Sequence, residues 1–433
     1  MLVQRALKIR LYPTQKQANY LNQVIGNSRF IYNQMLNERI NYYNEHKENK
    51  EELYKHKYKT EKQYKEEFDF LKIGDSIALQ QSRINLELAY KNFFQSVKGK
   101  RKGKSGFPKF KSKKNGGSFR TVNTNNCLKI DFENKTIKIP KCELIKFKHK
   151  KIKEHFLNGK VCSITVTKTP SGIYEASVLM EMEQWWKSYQ EMPEIPKVVG
   201  LDMSLSEFYI DSFGNTAGFT KPYKKLEQKL ADSQRKLSRK QKGSKNREKA
   251  RIDVAKIHRK ISNLRKDFVE QTSMKLIKNY DVVVVETLSL KSMAMNNHGK
   301  SVSDIGYGNF ISRLKAKAIE NDKTVLEASK WFASTQTCNV CGFKNKETKD
   351  LSVRSWICPE CKTHHDRDIN SAINLKKLGL NYVLSERQEF KSVESKIPEL
   401  ALLALNLVVE TENFAREGKK HGDLQSLWGS LGL

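Results

Sequence analysis

The sequence predicts a multidomain protein that joins an α+β part to an α/β part, and three observations carry the prediction. The 433 residues correspond to two to four domains at roughly 100–200 residues each. The apolar pattern changes period, from a helical stripe over the first hundred residues to short alternating β-rich runs over 118–183. Beyond 197, near-continuous Val/Ile/Leu runs, the mark of strands buried on both faces, are separated by long helical stretches.

In chain order, Leu7, Ile9 and Leu11 alternate with Lys8 and Arg10 as in a half-buried strand, and Pro13 stops it. Thr14 stands three residues before Gln17, the spacing of a capping box, and Leu21, Val24, Ile31 and Met35 continue the helical stripe. Residues 38–70 read as helix with a wet loop inside. Ile77, Leu79, Ile84, Leu88 and Phe93–Phe94 give a further amphipathic helix, so 14–96 is a helical lobe. Short strands separated by turn residues fill 118–183 and predict a small β-barrel or sandwich that the strand at 7–11 could complete. Trp185, Trp186, Pro193 and Pro196 mark a linker over 184–197. Val198–Asp202 and Tyr280–Glu286 are buried strands ending on acids, with Phe208–Ile210 a strand and Gly214–Asn215 a hairpin turn between them. Between those strands, 221–266 read as a helical pair, and 309–322 and Asp368–Lys377 as helices. The tail, 386–433, is mildly acidic and unlike the rest.

Charge narrows the function. Lys and Arg number 80 and Asp and Glu 48, a net charge of +32. Such a surplus calls for a polyanion, and nucleic acid is the natural one; the bland reading is a soluble protein with a generic basic surface. The charge is concentrated. Residues 98–114 hold nine Lys/Arg and no acids, with Phe107 and Phe110 interleaved where they could stack on bases. Residues 221–266 hold 18 Lys/Arg and 4 Asp/Glu, a local +14. No apolar stretch approaches the ~18 residues of a membrane span, and the first residues lack a signal-peptide core, so a cytoplasmic protein is expected.

Of seven cysteines, Cys127, Cys142 and Cys162 are scattered and read as buried thiols. Cys338, Cys341, Cys358 and Cys361 form two CxxC pairs separated by 16 residues, which suits one tetrahedral Zn²⁺ in a closed structural site rather than a redox pair. His364 and His365 could substitute as ligands, but four thiolates already fill the sphere. Asp202, Glu286 and Asp368 are spaced 84 and 82 residues apart. Adjacent parallel strands would bring the first two to one sheet edge, and a helix on that edge could add the third. Converging carboxylates suit two Mg²⁺ or Mn²⁺ ions and phosphodiester hydrolysis. For any one acid, capping or solvation is the competing reading.

With these residues in view, the chain resembles the TnpB family, transposon-encoded RNA-guided nucleases related to compact type V CRISPR effectors. The segments that carry the resemblance are KIRLYPTQKQ…GNSRFIYNQML, GLDMSLSEF, VVVVETLSLKSM and CPECKTHHDRDINSAINL, and it covers about 1–380. The resemblance implies a β-barrel wedge domain (1–13 and 107–185) with an inserted helical recognition lobe (14–106). It further implies an RNase H-like RuvC nuclease domain (197–330 and 363–385) with an inserted zinc ribbon (331–362). It places Asp202, Glu286 and Asp368 on the three catalytic positions. Arg354 falls where the family often has an arginine, with a phosphate contact and a purely structural role both open. Ser76, Gln80 and Gln81 fall in the region that touches a short flanking DNA motif. Ser204, Lys362 and Ser371 depart from a usual glycine, glycine and alanine. The implied partners are a guide RNA and double-stranded target DNA, with no membrane and with the oligomeric state open. The implied function is RNA-guided DNA cleavage. A nuclease-silent RNA-guided repressor, a compact CRISPR effector and a transposase that needs no RNA are the competing readings.

Overall fold

A computed structural model of the chain describes residues 2–288 and 304–390, apart from 102, 104, 150, 151, 185–192, 194 and 351. Most of the linker expected at 184–197, and nearly all of the tail expected at 386–433, lie outside the described residues. The chain is mixed α/β and divides into two compact units: Met1–Ser188 with Pro222–Leu264, and Tyr189–Lys221 with Arg265–Leu433.

The first unit is built on a seven-stranded half-barrel. Its strands are β1 (Leu2–Tyr12), β2 (Gly117–Val122), β3 (Lys129–Asp131), β4 (Thr136–Lys138), β5 (Ile145–Lys148), β6 (Lys160–Lys168) and β7 (Tyr174–Glu183), in the order β2-β6-β7-β1-β5-β4-β3. The opening strand does complete the sheet, and from its middle: β1 pairs antiparallel with β7 from Leu2↔Glu183 to Leu11↔Tyr174, and with β5 at Arg10↔Lys148. Its alternation puts Leu7, Ile9 and Leu11 in the core beside Ile137, Ile145, Val166 and Val178.

The helices α1 (Gln15–His46), α2 (Lys50–Lys55), α3 (Glu61–Glu67) and α4 (Ser76–Val97) are inserted between β1 and β2. The capping box forms as read: the Thr14 N–H donates to Gln17 Oε1 at 2.9 Å, and the Gln17 N–H to Thr14 Oγ1 at 3.3 Å. The first turns of α1 bury Leu21, Val24 and Ile25 in the sheet's core. Further along, Ile31, Tyr32, Met35 and Leu36 join Leu71, Leu79 and Leu86 in a separate helical core.

The basic pair is α5 (Pro222–Ser238) and α6 (Lys245–Asn279), the latter running 13 residues past the expected end. The resemblance groups 222–264 with the strands around Asp202 and Glu286, whereas these residues cluster with the first unit. Leu230 packs on Ile257 and Ile261 within the hairpin itself, and Arg251 ties the hairpin to the first unit by donating to the carbonyls of Lys114 and Pro170.

The second unit carries the sheet β11-β10-β8-β9, made of β8 (Val198–Ser204), β9 (Phe208–Asp211), β10 (Val282–Val285) and β11 (Thr324–Glu327). Here β8, β10 and β11 run parallel and β9 antiparallel. One face is covered by α7 (Tyr307–Glu320) and the end of α6, with Phe208 packed among Phe219, Phe268, Tyr307 and Phe310. Leu375 and Val383 of α8 (Arg367–Phe390) pack on Val198, Val282 and Val284. Two glycines bring α8 close to the sheet. A Cβ at 200 would lie 2.0 Å from the Ala372 carbonyl oxygen, and one at 379 would lie 2.6 Å from Val284 Cγ2. A short hairpin, β12 (Ser355–Ile357) with β13 (His364–Asp366), leads directly into α8.

Candidate active site and cysteine centre

The acids meet because of strand register. Val282 pairs with Val198 and Val285 with Leu201, a constant offset of 84 residues, so Glu286 leaves β10 level with Asp202 on β8. Asp202 is 6% exposed, a charge that must be matched by something in the site. Glu286 Oε1 accepts the Met203 N–H at 3.0 Å, which ties the two strand ends together. Tyr307 donates to the carbonyls of Ser204 (2.6 Å) and Phe208 (3.1 Å), pinning the turn in which Phe208 is held at φ +76°.

Asp368 arrives on the first turn of α8. Arg367 and Arg354 flank it: Arg367 Nη2 lies 3.1 Å from Oδ1 and Arg354 Nη1 3.3 Å from Oδ2. Arg354 therefore sits on the third acid itself, with two-thirds of its side chain exposed. One helical turn on, fully buried Ser371 donates to Asp202 Oδ1 at 2.6 Å. The carboxylates feel one another. Burial, then the Glu286 charge, hold Asp202 well above the usual carboxylate range. Burial, with Asp368 reinforcing it and the Met203 N–H opposing, raises Glu286 to about 7. Two buried acids whose proton affinity is raised, with a third acid beside them, form an oxygen-donor set suited to hard divalent cations.

The four paired cysteines also converge, with all four sulfurs within 4.8 Å of one another. Cys338 and Cys361 are 3.6 Å apart, as are Cys341 and Cys358. The cluster could hold a metal ion. Its two knuckles share one backbone pattern. The N–H of Cys338 donates to the Phe343 carbonyl and that of Gly342 to Cys338; Cys358 and Lys362 repeat this with Thr363 and Cys358. Thr363 draws the Cys361 thiol down to about 6 through its side-chain and backbone hydrogen bonds. His365 is buried, packs tilted against Trp356 and places Nε2 3.1 Å from Cys338 Sγ, so it supports a sulfur rather than replacing one.

This centre is coupled to α8. Asn370 and Asn374 donate to the Thr337 carbonyl at 2.8 and 2.6 Å, and Asn374 also reaches Ser334 at 2.9 Å. The Arg367 N–H donates to the Arg354 carbonyl. The cysteine knuckles and Asp368 are thus parts of one hydrogen-bonded assembly.

In the first unit the two basic runs converge. A cleft of about 1190 Å³ is lined by Arg29, Lys113, Lys114, Lys168, Arg251 and Asn22, among others. Asn22 is fixed there by Lys168 and Tyr174, each at 2.8 Å from its Oδ1. Of the two aromatics in the first run, Phe107 packs edge-on against Tyr90 and Phe93, while Phe110 is 54% exposed. Ser76, Gln80 and Gln81 lie on the first turns of α4, with Ser76 and Gln80 exposed and Gln81 half-buried. Sequence reasoning missed Arg367 and Tyr307, and noted Ser371 only as a departure. Arg367 could have been found beside Asp368, whereas nothing local marks Tyr307.

Family models match at residues 1–48 (a helix-turn-helix domain), 175–297 (OrfB_IS605, probable transposase) and 307–375 (Cas12f1-like, TNB domain). The chain is 28% identical over 380 residues to a putative RNA-guided DNA endonuclease of Streptomyces pristinaespiralis, covering 87% of this chain and 90% of that one. It is also 28% identical to InsQ of Escherichia coli K12, a putative RNA-guided DNA endonuclease, covering 87% and 92%. Among solved structures, a Cas12f1–sgRNA–target DNA complex aligns at 12% identity with a TM-score of 0.47, covering 87% of this chain and 99% of that one. The family models and the curated relatives support a TnpB family protein, similar to proteins described as probable transposases and as putative RNA-guided DNA endonucleases.

Proposed function

We propose that the protein is an RNA-guided DNA endonuclease that hydrolyses target phosphodiesters at the edge of the β8–β10 sheet. The observation that carries this reading is the register that sets Glu286 level with Asp202, with Asp368 brought in by α8. In this reading the second unit is an RNase H-like RuvC domain. Two Mg²⁺ or Mn²⁺ ions bound by these acids would activate a water and stabilise the leaving oxygen. Asp202, Glu286 and Asp368 supply the anionic ligands, and Arg367 and Arg354 hold Asp368 while leaving positive charge beside the phosphate path. Cys338, Cys341, Cys358 and Cys361 hold one Zn²⁺ as a structural ribbon over 331–362.

The half-barrel is the wedge and α1–α4 the recognition lobe. The basic cleft takes guide RNA or heteroduplex backbone, and Ser76, Gln80 and Gln81 face the flanking DNA motif. Its substrates put the protein in the cytoplasm and nucleoid. Among the described residues, no helix is long and apolar enough to cross a membrane.

The test compares guide-loaded wild type with Asp202→Ala, Glu286→Ala and Asp368→Ala, scored for target binding and for cutting in Mg²⁺ or Mn²⁺. Each substitution should abolish most cutting, the losses should not add, and binding should survive. Cutting at the wild-type rate by any one variant removes that acid from the site. A wild type that binds but never cuts in either metal hands the case to a nuclease-silent repressor.

A further inference from the structure

We infer that Ser371 is a positioning residue for the catalytic metal site: its hydroxyl fixes the Asp202 carboxylate and raises the affinity of the acids for divalent cations. The inference rests on the three-acid reading above and goes one step beyond it. Three observations carry it. Ser371 Oγ lies 2.6 Å from Asp202 Oδ1, the length of a charge-assisted O–H···O⁻ bond. A serine in a helix commonly turns its hydroxyl back on the carbonyl four residues earlier; this one has its single proton committed to a strand 169 residues away. Both partners are buried, Ser371 fully and Asp202 to 6% exposure, so water does not compete for the bond.

The approach is built in. Gly200, two residues before Asp202, lets the Ala372 backbone come so close to β8 that a Cβ would stand 2.0 Å from its carbonyl oxygen. Ser371 and Asp202 are therefore held at hydrogen-bond distance by a packed contact rather than by flexible side chains. With Oδ1 accepting from Ser371, the plane of the carboxylate is set and Oδ2 is left for a cation. Hydrogen bonds that orient a metal-binding carboxylate typically change metal affinity or activity about 10-fold or more. Ser371 donates to one oxygen of Asp202 and supplies no anionic ligand itself, so its loss should weaken metal binding rather than abolish chemistry.

The experiment uses the full-length, guide-loaded protein. For wild type, Ser371→Ala, Ser371→Cys and Asp202→Ala, cutting is followed against Mg²⁺ concentration, and Mn²⁺ binding is measured separately from the EPR signal of free Mn²⁺. In Ser371→Ala, the half-saturating Mg²⁺ and the Mn²⁺ dissociation constant should both rise about 10-fold, while the rate at saturating metal stays within about 2-fold of wild type. Ser371→Cys keeps an unbranched side chain of the same connectivity, slightly larger, but donates only weakly, so it should follow alanine. Unchanged Mn²⁺ affinity and Mg²⁺ dependence in Ser371→Ala would overturn the inference. So would a cysteine variant that behaves as wild type while alanine is impaired, since that pattern reports packing. Asp202→Ala keeps the two readings apart: if it cuts normally the three-acid site itself fails, and if it is dead while Ser371→Ala is normal only the positioning role fails.

Discussion

At position 362 the backbone turns through φ +60° with a lysine, while the matching position of the other cysteine knuckle holds Gly342 at φ +79°. The two residues make the same hydrogen bond, each donating its N–H to the carbonyl of the first cysteine of its pair. The geometry is therefore set by the knuckle, and the side chain at 362 bears the strain. A left-handed non-glycine residue costs about 1–2 kcal/mol, and glycine loses part of that gain to its freer unfolded chain. Lys362→Gly should raise stability by roughly 1 kcal/mol or less, seen as a higher thermal midpoint of the protein. Gly342→Ala should lower it. A lysine-to-glycine change that lowers the midpoint would mean that the Lys362 side chain makes a contact worth more than the strain.

At the scale of elements, α8 is the part on which the site depends. It carries Asp368 and Ser371, holds the segment ahead of Cys338 through Asn370 and Asn374, and lies against β8 at Gly200. A methyl group at 200 would meet the backbone at Ala372 and Lys376, at 2.0 and 2.5 Å, so one element must move. Gly200→Ala should destabilise the protein by about 3 kcal/mol. It should also reduce cutting out of proportion to target binding, because the helix that shifts carries one acid and the donor to another. Equal losses in binding and cutting would point to global unfolding instead.

Much of this arrangement was legible beforehand. The period-2 pattern of Leu7, Ile9 and Leu11, the Thr14 capping box and the two acid-terminated strands all appear where local chemistry dictates. The 84-residue gap between Asp202 and Glu286 is the register offset itself. What could not be read is what depends on tertiary approach. Neither the Ser371–Asp202 bond nor the turn held by Tyr307 leaves a periodic trace, nor do the Arg251 bonds to the Lys114 and Pro170 carbonyls that tie the basic hairpin to the first unit.

Across the whole molecule, the net charge of +32 acquires a place. Lys113 and Lys114 from the first basic run and Arg251 from the second line one cleft with Arg29 and Lys168. Arg251 is itself partly engaged by Glu248 and by the Lys114 and Pro170 carbonyls, so it braces the wall more than it offers free charge. Lys236, Arg239, Lys240 and Lys242, exposed at the end of the hairpin, have no such duty. If cleft and hairpin both follow a nucleic-acid backbone, each phosphate they neutralise releases condensed counterions, and log K falls with log salt by roughly 0.7 to 0.9 per contact. Replacing Lys113, Lys114 and Lys168 with glutamine should weaken guide-RNA binding at low salt and flatten the slope by about 2 to 3. The same change at Lys236, Arg239, Lys240 and Lys242 reports the hairpin separately. Titrating guide RNA against each variant across a KCl series measures both slopes. A slope that keeps its wild-type value after the cleft lysines are neutralised would place the RNA elsewhere, however much the affinity itself had changed.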